Sequence, residues 1–354
     1  MNPFSYQRAN NRSTAVQAIA TGSGKFLAGG TNLVDLMKYG IEQPSGLIDI
    51  NALDLTQITS APDGGVFIGA MVRNSDLADH PLIRERYPLL SQALLSGASP
   101  QIRNMATVGG NLLQRTRCYY FMDTSFPSCN KRLPGTGCSA LNGFNRIHAI
   151  LGQTDRGATS GETCIATNPS DMNVSLSALD ATVHVQSQKG SRAIPIAEFH
   201  RLPGSTPEID TTLSRDELIT GITLPPARFA ANSHYLKVRD RNSYAFALVS
   251  VAAGLEMNGT MIRSAVLALG GVAHKPWRSP EAEKALAGAT ASTEAFRAAA
   301  EFALTAAHGY EHNSFKVELA KRAIVQALTQ AAHSGPKSSP LASRGSSTDR
   351  KSVV

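Results

Sequence analysis

The sequence predicts an α+β protein built as two domains, the first in two subdomains, with a short tail. Three observations predict it. Before Pro225-Pro226 the chain reads as strand–turn–helix units around two Gly-Gly turns. Between the second turn and residue 166 it becomes long and irregular. After the proline pair, strands come first and helices follow, the order of a separate α+β domain.

The elements follow in order. Phe26-Leu27-Ala28 is a short apolar strand, Gly29-Gly30-Thr31 a turn, and Asn32 a cap for a helix with Leu33, Leu36 and Met37 on its apolar face. Gly46–Ile50 and Gly65–Ala70 read as strands. Asn74-Ser75-Asp76 caps one helix, and Pro88–Gly97 is another. The Gly109-Gly110 turn precedes a stretch rich in Gly, Ser, Asn, Pro and Thr, which a compact domain tolerates only if something holds it. Helical spacing resumes from Ser170 to Leu179, and Ala181–Val185 alternates like a strand. The second domain holds strands at Tyr235–Val238, Leu248–Met257 and Met261–Leu269, then helices at Pro280–Ala287, Thr293–Ala307 and Phe315–Ala332. No internal repeat is visible. The predicted boundaries are 1–224 (subdomains about 1–55 and 56–224, with a cysteine-bearing insertion at 115–166), 225–332, and a disordered Ser-, Pro- and Arg-rich tail at 333–354.

Composition narrows the function. A hydrophobic content of 42% in 354 residues supplies a sizeable core. The net charge is +7 and the pI about 9.3. The basic residues are scattered, however, without a stripe of interleaved aromatics, so nucleic-acid binding is not expected. Their one concentration is Arg103, Arg115, Arg117, Lys131 and Arg132, around the second turn and the cysteines. No apolar run approaches membrane-spanning length, so no membrane insertion is expected. Met1–Arg8 lacks the apolar core of a signal peptide. By its own sequence the chain is expected to be cytoplasmic, or periplasmic if a signal-bearing partner carries it across.

Each Gly-Gly turn offers backbone N–H groups without side-chain obstruction ahead of a helix, which suits a pyrophosphate. Neither is a G-x-G-x-x-G fingerprint or a P-loop. All four cysteines, Cys118, Cys129, Cys138 and Cys164, lie in the irregular stretch at spacing C-x10-C-x8-C-x25-C. Four thiolates suit a [4Fe–4S] cluster, although no ferredoxin spacing is present. Structural zinc usually shows close cysteine pairs, and disulfides need an oxidising compartment. From spacing alone cluster, zinc, disulfides and four unrelated thiols all stay open. His184, His200, His234, His274, His308, His312 and His333 have no ligand spacing and are expected at the surface. No nucleophile–base or paired-carboxylate signature is visible.

Several segments together resemble a known family. Leu27–Leu33 with Met37-Lys38, Ile102–Asn111, Pro169-Ser170-Asp171 and Leu267–Arg278 are similar to the FAD-binding subunits of the molybdenum hydroxylases: xanthine dehydrogenases, aldehyde oxidoreductases and carbon monoxide dehydrogenases. The resemblance covers residues 1 to about 331. The cysteine stretch, with Thr116–Tyr120, resembles the branch whose flavin subunit carries an extra [4Fe–4S] cluster. That branch holds the bacterial periplasmic-type aldehyde oxidoreductase, which looks closer, and 4-hydroxybenzoyl-CoA reductase.

The resemblance implies a two-subdomain FAD-binding fold of the PCMH/vanillyl-alcohol-oxidase type, followed by a flavoprotein C-terminal domain. It implies that Leu27, Ala28, Gly29, Gly30, Thr31, Asn32 and Leu33 bind the FAD pyrophosphate, and that Ala106, Thr107, Gly109, Gly110 and Asn111 approach the cofactor's other side. Asp171 is implied to hydrogen-bond FAD hydroxyls, Lys237 to lie near the flavin ring, and Ile219 and Ile222 to pack the adenine. Cys118, Cys129, Cys138 and Cys164 are implied to hold the cluster.

The implied function is electron transfer within a three-subunit aldehyde oxidoreductase. A large molybdenum-cofactor subunit oxidises the substrate, and a small subunit passes electrons through [2Fe–2S] clusters. FAD in this chain then delivers them to an external acceptor. No catalytic residue for substrate oxidation is expected here. The alternatives are the flavin subunit of a xanthine dehydrogenase or 4-hydroxybenzoyl-CoA reductase type enzyme and, from another class, a zinc-stapled, non-redox, phosphate-binding interaction protein.

Overall fold

The computed structural model describes residues 1–22, 24–155, 159 and 161–334. The expected disordered tail lies, from residue 335 on, outside the described residues. The last helix, Phe315–His333, runs one residue past the predicted domain end.

The first subdomain is a three-stranded parallel sheet in the order Ser5–Arg8, Gly46–Asp49, Lys25–Leu27. The helix Arg12–Thr21 covers it. Asn11 caps that helix reciprocally: Thr14 N donates to Asn11 Oδ1 at 2.9 Å, and Asn11 N to Thr14 Oγ1 at 3.3 Å. The buried Ala15, Val16 and Ile19 pack on Ile48, Ile50 and Leu53. Sequence reading missed the first strand because all four of its residues are exposed and carry no alternation.

The second subdomain is a five-stranded antiparallel sheet in the order Ile58–Ser60, Val66–Gly69, Leu218–Leu224, Thr182–Ser187, Gly190–Pro195. The helices Asn74–Asp79, Pro88–Ser96 and Asp171–Ala178 share its core. Every residue of Asp171–Ala178 is buried, because the helix also packs on the second domain.

The second domain is a four-stranded antiparallel sheet in the order Trp277–Arg278, Met261–Gly270, Val249–Asn258, Ser233–Val238. Its long strands are apolar on both faces, for a reason visible in their alternation. Val249, Val251, Ala253 and Leu255 face the helices Pro280–Leu286, Thr293–Ala303 and Phe315–His333. Ala252, with Val266 and Ala268 of the neighbouring strand, faces the core of the first domain. A sheet covered on both sides reads as a continuous apolar run.

The irregular stretch has a small core of its own, in which Cys118, Tyr120, Phe121, Cys129, Cys164 and Ile165 pack with Leu36. Hydrogen bonds to side chains hold it. The Arg132 guanidinium donates to the carbonyls of Tyr120 at 2.7 Å, of Phe121 and Asp123 at 3.1 Å, and of Phe126. Asn130 donates to Thr163 O at 2.8 Å and accepts from Gly137 N at 2.7 Å.

Candidate functional site

The two glycine turns come together. An added Cβ on Gly29 would overlap the Met105 carbonyl oxygen, just before the second turn. Arg73 donates to that same carbonyl and, at 3.3 Å, to Asn51 Oδ1. Asn51 Nδ2 donates to Ala28 O at 3.0 Å, so Arg73 and Asn51 tie the second turn to the first. Gly30 has φ +73, the left-handed region that favours glycine. In the second turn Thr107 Oγ1 accepts from Gly110 N at 3.2 Å, and Asn111 Oδ1 accepts from Ser170 Oγ at 2.7 Å.

A cavity of about 790 Å³ opens beside these turns, within the range of a cofactor site. Gly30, Thr31, Asn32, Ala106, Gly110 and Asn111 line one part of it, and Asp171, Lys237, Tyr244 and Phe246 another. Asn32 Oδ1 accepts from Arg115 N at 3.2 Å, while its buried Nδ2 has no partner among the described residues. Three described non-glycine residues have left-handed backbone, and two of them, Ala98 and Tyr244, line the cavity. Local strain of this kind concentrates at binding sites.

Asp171 is not free to take a ligand with both oxygens unengaged. Its Oδ1 accepts from Tyr235 OH and its Oδ2 from Lys237 Nζ, both at 2.7 Å. Lys237 also donates to Ser96 O at 3.2 Å, which leaves Nζ one further N–H. The pair is buried, with side-chain exposures of 4% for Lys237 and 9% for Asp171. Burial, and then the Asp171 charge, push the Tyr235 hydroxyl well above its ordinary value, so it stays a donor. Removing one member of such a pair costs about 3–5 kcal/mol because the other is left buried and unpaired. Asp171→Asn should therefore lower the unfolding temperature clearly, and Asp171→Asn/Lys237→Met should recover much of the loss. Calorimetry of the parent, both single variants and the double variant checks this, and additive losses would show that the two groups do not act as a pair.

The four cysteines are all free and line one small enclosed space. Burial, and then the neighbouring thiols, push Cys118 well up, while burial pushes Cys164 up to about 12. Two imidazoles touch them: His148 Nε2 lies 3.0 Å from Cys118 Sγ, and His274 Nε2 3.2 Å from Cys164 Sγ. Burial lowers His148 to about 4, with a smaller contribution from Lys316. Lys316 is itself fully buried, and its Nζ donates to His148 O at 2.7 Å and Gly271 O at 2.6 Å. No carboxylate pairs with it among the described residues.

The basic concentration seen in the sequence is largely neutralised. Arg115 pairs with Glu42 at 2.8 Å and Asp210 at 2.9 Å, Lys131 with Asp210 at 2.5 Å, and Arg117 with Asp35 at 2.5 Å. Burial raises the Asp210 carboxyl, but Lys131 and then Arg115 outweigh it and hold it at about 2. A carboxyl depressed on folding stabilises above its unfolded value of about 3.9 and loses that contribution as pH falls toward the folded value. Thermal stability should therefore drop between about pH 4 and pH 2, and Asp210→Asn should flatten that part of the profile. An unaltered profile in the variant would rule the group out.

Among the residues singled out from the sequence, Gly30, Thr31, Asn32, Ala106, Gly110, Asn111, Asp171 and Lys237 share the large cavity. Leu27, Ala28, Gly29, Leu33, Thr107 and Gly109 form the turns behind it. Ile219 and Ile222 are elsewhere. They lie in the central strand Leu218–Leu224, 5% and 0% exposed, packed in the core instead of lining the cavity. The surface expectation for the histidines fails for His200 and His274, which are 3% and 8% exposed. His200 Nε2 meets Leu112 O at 2.9 Å, and His274 meets a cysteine. Sequence reading also missed His148, Arg73 and Tyr235. No local spacing signals them, since each partner lies at least 30 residues away in the chain.

Among the described residues no helix is long and apolar enough to cross a membrane. Two family models match the chain in order: the FAD binding domain in molybdopterin dehydrogenase over residues 2–227, and the CO dehydrogenase flavoprotein C-terminal domain over residues 234–331. The chain is 49% identical over 333 residues to the aldehyde oxidoreductase FAD-binding subunit PaoB of Escherichia coli, covering 94% of this chain and 99% of that protein. It is 28% identical over 286 residues to the glyceraldehyde dehydrogenase medium chain of Sulfolobus acidocaldarius, covering 80% and 81%. Carbon monoxide dehydrogenase from Hydrogenophaga pseudoflava has a similar structure, with a TM-score of 0.73 and 25% identity over 95% of this chain and 99% of that one.

Proposed function

The chain belongs to the FAD-binding subunits of the molybdenum hydroxylase family, and we propose that it is the flavin and [4Fe–4S] subunit of an aldehyde oxidoreductase. The observation that carries the reading is the pair of docked glycine turns opening on a cavity of about 790 Å³. The likeness to an aldehyde oxidoreductase subunit over almost its full length supports the substrate class. Membership of an oxidoreductase family replaces the reading as a non-redox, zinc-stapled interaction protein.

The residues present fit FAD. The backbone of Gly30–Asn32 and of Gly110-Asn111 holds the diphosphate, and the unpartnered Asn32 Nδ2 is a buried donor that a phosphate or hydroxyl oxygen satisfies. Lys237, oriented by Asp171, supplies positive charge that favours a reduced ring. FAD, if bound here, would supply conversion of one-electron input into two-electron output.

The support for a cluster is that all four thiols line one space. Tetrahedral zinc with Zn–S near 2.3 Å brings its sulfurs within about 3.8 Å of one another. No three described His, Cys, Asp or Glu residues are set to hold one metal ion, yet all four thiols line one space. A [4Fe–4S] cluster gives each thiolate its own iron and spreads them wider. Lys316, which burial lowers to about 7, holds the His148 carbonyl behind the site, and its protonated form would offset part of the charge of four thiolates.

In this reading a large molybdenum-cofactor subunit and a small [2Fe–2S] subunit supply the electrons, and an external acceptor removes them. The test is to purify the chain anaerobically with its partner subunits and to record its absorption, flavin, iron and acid-labile sulfide. One FAD and roughly four irons per chain are expected beyond those of the partners. A flavin-free chain, or a colourless one carrying stoichiometric zinc, would overturn the proposal.

A further inference from the structure

We propose that His148 and His274 are positioning residues for the cluster, each donating an Nε2–H···S hydrogen bond to a ligand sulfur and so raising the cluster's reduction potential. The inference rests on the cluster reading above.

The geometry points one way. Nε2 of His148 is 3.0 Å from Cys118 Sγ, and Nε2 of His274 is 3.2 Å from Cys164 Sγ. Both imidazoles are buried, with 1% and 8% exposure. A metal-bound thiolate has no proton and can only accept, so each imidazole must be the donor. The other ring nitrogen agrees: Nδ1 of both residues is buried with no partner among the described residues. A proton there would make an orphaned buried N–H, which folded proteins avoid, so the proton belongs on Nε2.

The two donors come from different parts of the fold. His148 lies within the cysteine-bearing stretch, its backbone carbonyl held by Lys316 and by Asn313 Nδ2 at 3.2 Å. His274 comes from the second domain, on the loop after the strand Met261–Gly270. That loop is fixed by Ile150 N donating to Val272 O and Asn168 N donating to Ala273 O, both at 2.9 Å. One imidazole is thus local and the other is delivered by domain packing. Neither ring touches the large cavity.

The physical consequence follows from charge. Reduction adds one electron and no proton, and the added negative charge lies partly on the ligand sulfurs. An N–H donor stabilises the more negative state, so it raises the potential; hydrogen bonds to sulfur are among the factors that set cluster potentials. Removing one donor is expected to lower the reduced-to-oxidised ratio at a fixed potential about tenfold, or about 59 mV for one electron.

The experiment is a mediated redox titration of the whole enzyme, read by electron paramagnetic resonance of the reduced cluster, with iron counted in each sample. His148→Leu and His274→Leu remove the donor, while His148→Gln and His274→Gln retain an N–H. Iron-replete Leu variants with a potential lowered about tenfold in ratio, and Gln variants near the parent value, are expected. Leu variants that lose iron while Gln variants keep it at the parent potential also support the donor role. An unchanged potential in iron-replete Leu variants overturns it, as does loss of iron from Leu and Gln variants alike, which would mark a packing role. Absence of iron from the parent enzyme would instead bring down the cluster reading itself.

Discussion

Gly29→Ala should yield a folded protein that retains little FAD. The new Cβ would overlap the Met105 carbonyl oxygen and lie 3.2 Å from an Arg73 guanidinium nitrogen. The obstruction is backbone, already fixed by Arg73, so it cannot swing aside. The first turn must then move off the second, and the proposed diphosphate site between them loses its shape. At least a tenfold loss of FAD affinity is expected, about 1.4 kcal/mol or more. Flavin absorbance per chain after purification, followed by titration with added FAD, measures it. Gly22→Ala is the control: its backbone is extended and its nearest neighbour would be an ordinary 3.6 Å away. Full FAD in Gly29→Ala would show that the contact between the turns does not shape the site.

Cys129→Ser should remove most of the iron assigned to this chain while leaving FAD largely in place. The two sites have no lining residue in common, although Arg117 and Tyr119, on either side of Cys118, both reach the large cavity. A serine hydroxyl is a poor iron ligand, and of the remaining thiols Cys118 and Cys164 are buried and Cys138 half-buried, all three pushed up by burial. Iron should fall by roughly four per chain, measured against flavin in the same sample. Unchanged iron would show that Cys129 is not a ligand, and a complete loss of FAD would show that the cysteine stretch is needed to build the cavity.

The strand–turn–helix around Gly29-Gly30 was legible because a glycine turn is a local signal, but Asn32 makes no side-chain cap to that helix and its Oδ1 accepts from Arg115 N instead. The long strands of the second domain were legible because burial on both faces makes them apolar throughout. The edge strand Ser5–Arg8 was not, since all its residues face solvent. Ile219 and Ile222 illustrate the opposite error. Their apolar side chains suit an adenine as well as a core, and only the pairing of their strand on both sides assigns them to the core.

The sequence by itself determined the family, the two-domain order, the glycine turns and the set of four cysteines, because each depends on residue type at fixed local spacing. The tertiary structure alone decided which side chains meet: Arg73 with Met105, Asp171 with Tyr235 and Lys237, and the two imidazoles with their sulfurs. These contacts join residues 30 to 110 positions apart, brought together by burial of apolar faces that carry no record of which polar groups they will enclose.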